Sequence, residues 1–220
     1  MSKKITFHLH KRQDILEASL ASLTIQSQDR RIKISVSKGS KGYILLAKSK
    51  NTRNPNHLAV VFENDFVISD DTEIQKKTFL VLHAWFTKQK KVRVLVEFFG
   101  NFKEIEDQLL PNSENYSYIY SDAGVSYVGF DAVPELLSKI EDKDFNFLAP
   151  FKMTVEEAKN DTSFVNCKRF AMMLCSSFKL EIKEEIIQKF LDMSCFKTVE
   201  NIRLIEKNGW TNNKLLWEYS

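Results

Sequence analysis

The sequence predicts an α+β protein: a mixed, largely antiparallel sheet with packed helices, followed by a small helical C-terminal module. Three observations carry that expectation. Short β-rich runs follow one another with only brief polar breaks, as in 31–36 and 43–47 or 58–62 and 66–68. Such spacing favours antiparallel neighbours over crossover connections. The stretch His57 to Gly100 is the most apolar and most strongly patterned in the chain, so it is expected to be the core. From Thr154 onward the pattern turns helical, which divides the chain into a sheet domain of residues 1–150 and a module of residues 151–220.

Taken in order, Ile5 to Leu9 alternates as a short strand, with His8 and His10 on its polar side. Asp14 to Gln26 carries Ile15, Leu16, Leu20 and Leu23 at helical spacing. Ile32, Ile34 and Val36 alternate with Arg31, Lys33 and Ser35. The turn-forming run Lys38 to Gly42 then predicts a β-hairpin over 31–48. Leu58–Phe62 and Phe66–Ile68 around Glu63-Asn64-Asp65 predict a second hairpin. Asp70 or Asp71, with Glu73, suits the start of an amphipathic helix running to Lys91. Ile74, Leu82 and Trp85 would line it, with Phe79, Val81 and Phe86 widening its apolar stripe. Val92, Val94 and Val96 read as a buried strand, and 101–110 as a helix stopped by Pro111. Residues 116–120 and 125–130 predict a further hairpin, and Pro134 opens a helix through Ile140. Helices follow near 154–160, 164–178 and 183–194. The chain ends in a hairpin of 202–207 with 215–219 or in a helix closing at Gly209, which the sequence leaves open.

At 220 residues, with 43% hydrophobic and 28% charged residues, the chain is an ordinary globular one. No apolar run reaches the ~20 residues of a bilayer span, and no secretory leader is visible. Cys167, Cys175 and Cys195 lack zinc-like pairing and are expected as free thiols in a reducing cytoplasm. No metal site and no cofactor are expected. Neither G-x-x-x-x-G-K-[ST] nor G-x-G-x-x-G occurs, and no Ser or Cys has a recognisable nucleophile setting.

The net charge of +3 conceals an asymmetry. Residues 1–56 hold 12 basic against 3 acidic residues, whereas residues 57–150 hold 9 against 16. Arg30, Arg31, Lys33, Lys38, Lys41, Lys48, Lys50 and Arg53 fall within 24 positions among small polar residues. Long cationic side chains beside accessible amides suit a phosphate backbone. The leading expectation is therefore a cytoplasmic, non-enzymatic nucleic-acid-binding protein that uses this basic hairpin and loop. Two alternatives come from other classes. The order helix, three strands, helix, strand resembles the core of restriction-endonuclease-like nucleases at the level of fold alone. That resemblance implies an Asp and a Glu-x-Lys on adjacent strands, but residues 31–49 hold no acid. Glu-x-Lys does occur at Glu181-Ile182-Lys183, with Asp161 twenty residues upstream, and at Glu141-Asp142-Lys143. Glu63, Asp65, Asp70, Asp71, Glu73 and Glu97 could converge on a divalent cation in such a nuclease, and the other alternative is a protein–protein adaptor or immunity-type protein whose acidic middle covers a basic partner.

Overall fold

The computed structural model describes residues 6–9, 21–26, 31–36, 39–50, 56–69, 74–86, 91–110, 112–130, 133, 136, 139–140, 143–145, 164–192 and 218–219. The strands, in chain order, are β1 (Thr6–Leu9), β2 (Ala21–Gln26), β3 (Arg31–Val36), β4 (Ser40–Ser49), β5 (His57–Ser69), β6 (Ile74–Phe86) and β7 (Val92–Phe99). After them come β8 (Tyr116–Ser126), β9 (Asp144–Phe145), β10 (Phe164–Val165) and β11 (Glu218–Tyr219). The helices are α1 (Phe102–Gln108), α2 (Cys167–Phe178) and α3 (Glu184–Asp192). The class is α+β, as expected.

The sheet is built on β5 and β6, two strands of 13 residues each. They pair antiparallel from Val60↔Leu82 to Ser69↔Ile74, and β7 continues the sheet beyond β6. On the other side of β5 two strands lie end to end. β4 pairs with its first half (Lys41↔Glu63 to Ala47↔His57) and β3 with its last residues (Lys33↔Ser69 to Ser35↔Val67). β8 then flanks β4, and β2 and β1 flank β3. Among the described residues these strands make one nine-stranded antiparallel sheet, in which β8-β4-β5-β6-β7 is the five-stranded body, β3-β2-β1 extend it from the last residues of β5, and β11 adds to β7.

Both faces of this sheet are covered. Ile44, Leu46, Leu58, Val60, Phe62, Leu80 and Leu82 belong to one core, shared with Phe170, Leu174 and Phe178 of α2. Leu45, Ala47, Ala59, Val61, Phe79, Val81 and Phe99 belong to the other, closed by Ile105 of α1 and by Leu109. Alternation along Ile44–Ala47, Leu58–Phe62 and Phe79–Leu82 sends neighbouring residues to different cores. Asn101 caps α1 by accepting the Glu104 N–H at 2.9 Å, while the Glu104 carboxylate takes the Gly100 N–H at 2.8 Å. This reciprocal pairing satisfies amides that the first helical turn leaves open.

Several expected elements differ. The helix expected up to Lys91 is strand β6 over 74–86. Its apolar residues divide between the two cores instead of lining one stripe, and Ile74 is 72% exposed. A strand buried on both faces gives an unbroken apolar run, whose length mimics a helix. Residues 21–26 of the expected 14–26 helix are likewise strand, and 14–20 lie outside the described residues.

The expected hairpin over 31–48 does not form: β3 and β4 run the same way along one side of β5. Gly39, at φ +81°, stands between them where a turn was expected. The Glu63-Asn64-Asp65 break is a register shift within β5, opposite that junction. There Asn64 Nδ2 donates to Ser40 Oγ at 2.9 Å. The third expected hairpin is the single strand β8. Gly124, at φ +88°, and an Asp122 Oδ1 accepting its N–H at 2.8 Å make a bulge, not a reversal. At the end of the chain β11 pairs with β7, and residues 202–207 lie outside the described residues.

Helices α1, α2 and α3 fall where periodicity places them. Helix α2 ends at Lys179, which adopts a left-handed φ of 55° while its N–H and that of Leu180 close the last turn. Leu180 thereby comes to rest on Gly42. A Cβ at position 42 would stand 2.5 and 2.7 Å from the Leu180 methyls. Gly42→Ala is expected to destabilise the fold by about 1–3 kcal/mol through overpacking. Urea unfolding should show the lowered midpoint, and a smaller loss in a Leu180→Ala background.

Candidate functional site

Of the expected cationic set, the side chains of Lys41, Lys48 and Lys50 are described. Lys41 and Lys48 stand seven residues apart on β4, so alternation places them on opposite faces near opposite ends of the strand. Lys41 is engaged: its Nζ lies 3.5 Å from Asp122 Oδ2 and 4.9 Å from the Tyr43 ring centre. The Gly124 N–H, more than Lys41, holds the Asp122 carboxyl below the usual carboxylate range. Tyr43 OH in turn donates to Glu63 Oε2. Lys48 and Lys50 are exposed at the far end of β4, and Lys50 Nζ donates to the Glu114 carbonyl at 2.9 Å. Arg31 and Lys33 lie on β3, paired through Arg31↔Gln26 and Lys33↔Ser69. Arg30, Lys38 and Arg53 lie outside the described residues.

The acids behave differently from expectation as well. Asp70, Asp71 and Glu73 lie outside the described residues, and no helix starts beside them. Glu97 turns inward. Glu181 and Lys183 are exposed on the connection into α3, where the Glu181 N–H donates to the Ala123 carbonyl at 2.9 Å. The helix on which the nuclease resemblance rests is absent at 74–86. Among the described residues no three His, Cys, Asp or Glu side chains converge in a way that could hold a metal ion. No helix among them is long and apolar enough to cross a membrane. Cys167 and Cys175 are buried free thiols, pushed up to about 11 and about 12 by burial.

Two features went unseen in the sequence. The first is a diagonal line of buried polar side chains across three strands. His57 Nε2 lies 2.7 Å from His83 Nδ1, and His83 Nε2 lies 2.9 Å from Glu97 Oε2. The two imidazoles are each 1% exposed and Glu97 is 6% exposed. Glu97 pairs in register with Val81, one alternation from His83, which is the diagonal reach long side chains can bridge. With His83 Nε2–H donated to Glu97, His83 Nδ1 is left as the acceptor for His57 Nε2–H. His57 Nδ1 then remains a bare acceptor without a hydrogen-bond partner. Trp85 packs edge-on against His57 with ring centres 5.1 Å apart. Burial, and then His83, hold the His57 imidazole well below its ordinary range. This arrangement orders protons but is sealed from solvent, so it is an internal polar girder of the sheet.

The second feature is a cavity of about 460 Å³ on the other face. It lies between the helical residues around 133–140 and helix α2. Its walls include Leu136, Ile140, Val165 and Met173, and its polar groups come from Lys139, Lys143, Arg169, Ser176 and Ser177. The signal was present as spacing: 136, 139 and 140 share one helical face, and 169, 173, 176 and 177 another.

No protein-family model, curated protein or solved structure matches this chain.

A testable consequence follows from the buried His57. Below pH ~6.5 the unfolded chain protonates this imidazole, while the folded chain holds it neutral. The unfolded state therefore binds more protons, and stability must fall as pH drops through that range. For one such proton the slope is about 1.4 kcal/mol per pH unit. Urea midpoints between pH 5 and 8 are expected to decline on the acid side, and His57→Phe should flatten the decline.

Proposed function

We propose that this is a non-enzymatic, cytoplasmic binding protein that engages the phosphate backbone of nucleic acid through its basic N-terminal quarter. The observation that carries the reading is the concentration of 12 basic against 3 acidic residues in positions 1–56. Cations clustered on one stretch of chain release condensed counterions when they meet a polyanion. Lys48 and Lys50, exposed at the end of β4, supply the accessible part of that charge among the described residues. Lys41, already held by Asp122, contributes least. The reading includes no base-specific contact, because Tyr43 is the lone aromatic of positions 30–53 and its hydroxyl is committed to Glu63.

Fluorescence anisotropy with single- and double-stranded oligonucleotides across a salt series tests this. Log K should fall linearly with log salt by about 0.9 per phosphate contact on duplex DNA, or about 0.7 on single strands. Lys48→Gln and Lys50→Gln should each flatten that slope by about one contact, and Lys41→Gln should change it little. An absence of binding at low salt, or an unaltered slope in the Lys48/Lys50 double variant, would remove the nucleic-acid reading.

A further inference from the structure

Strand β8 pairs with β4 on its inner side, in the register Lys48↔Ser117, Leu46↔Ile119 and Ile44↔Ser121. The Lys50 N–H donates to the Asn115 carbonyl at 2.8 Å, which sets the phase of that ladder. Antiparallel pairs alternate between hydrogen-bonded and non-hydrogen-bonded, so Ser117, Ile119 and Ser121 are the residues that bond to β4. Tyr118 and Tyr120, between them, turn their N–H and C=O groups away from β4. Among the described residues no strand pairs with that outer side.

Edge strands are ordinarily guarded against a new neighbour by a lysine or other charge, a proline or a bulge. The run Tyr116–Ser121, YSYIYS, carries no charge and no proline. Its bulge comes only afterwards, where the register slips between Asp122 and Val125. The unguarded stretch is also complementary to itself when turned end for end. About a twofold axis at Ile119, Tyr118 falls opposite Tyr120 of a second copy, Ser117 opposite Ser121, and Ile119 opposite Ile119. In that register the outward groups of Tyr118 and Tyr120 exchange hydrogen bonds across the axis. Ile119 forms the close, non-hydrogen-bonded pair at its centre.

The side chains match as well. Tyrosine meets tyrosine on one face, an aromatic pairing that stabilises antiparallel strands. On the other face Ile119, already packed against the core that α2 covers, meets its own copy. No like charges are brought together within the stretch. An unrelated extended peptide could use the same backbone groups, but the like-for-like match about one axis is the property of a second copy. We propose that β8 is a dimerisation edge, on which a second copy of this chain adds its own β8 antiparallel and makes one sheet of two. The edge is short, and it buries less than the ~1,600 Å² of a standard interface, so the dimer is concentration-dependent.

Sedimentation of the full chain without nucleic acid, from about 1 μM to about 1 mM, tests this and should show a monomer–dimer equilibrium. The Tyr118 and Tyr120 amides should exchange with deuterium about tenfold more slowly in the dimer than in the dilute monomer. Ser117→Glu/Ser121→Glu sets carboxylates opposite each other across the axis and should leave a folded monomer. Ser117→Glu/Ser121→Lys sets opposite charges there and should keep the dimer. Within one copy these positions are about 13 Å apart along the strand, so only pairing across the axis separates the two variants. A wild-type chain that stays monomeric throughout would overturn the assignment, as would charge variants that behave alike. Tyr118 and Tyr120 amides already protected in the monomer would overturn it too, since another segment of the chain would then occupy the edge.

Discussion

Burial of both faces of the β4–β5–β6–β7 sheet is the constraint on which the rest depends. A sheet with one wet face can alternate apolar and polar residues. Here Leu80, Leu82 and Ala84 face one core while Phe79 and Val81 face the other, so nearly every position from 79 to 85 is apolar. Helices must then cover both sides. Helix α2 does so on one face, and α1 with Leu109 and Leu110 on the other. Two-sided burial also explains the length of β5 and β6, since a 13-residue strand can carry two partners in succession on one side. The junction between those partners is absorbed by irregularities at Gly39, at 63–66 in β5 and at 122–125 in β8.

The same constraint gives the buried polar groups their character. His57, His83 and Glu97 lie where the sheet leaves no water, so each must satisfy the next. They resist replacement singly, because removal of one leaves its neighbour unpaired in a low-dielectric interior. The cavity arises differently. It is the space left where two helical faces meet at their polar margin, on the side of the sheet covered by α2.

How much of this was legible in the sequence depended on whether the pattern was local. Helices α1 and α2 begin at Asn101 and Asn166, and α1 stops before Pro111, so local chemistry located them. Strand β7 was legible from its valines. The long strands were not, because a fully buried strand and an amphipathic helix share the same apolar density, and only tertiary covering separates them. The three expected hairpins failed for one common reason. Gly39, Glu63-Asn64-Asp65 and Gly124 are turn-like residues used to bend strands that continue, a choice set by neighbouring strands. The basic residues of 30–53 were legible as a charge excess, but their distribution over faces was not, since it followed from that mistaken hairpin. The histidine line was invisible for a related reason: 26 residues separate His57 from His83, and only the β5–β6 register brings them together.

The pairing of β5 with β6 is therefore the claim that carries the most. Nuclear Overhauser contacts in an isotope-labelled sample test it directly. The account predicts cross-strand backbone contacts at Val60–Leu82 and Val61–Val81, with extended-chain sequential contacts throughout 74–86. Contacts between residues three and four apart over 74–86, with none to residues 57–69, would contradict it and return that segment to the helix its apolar density suggests.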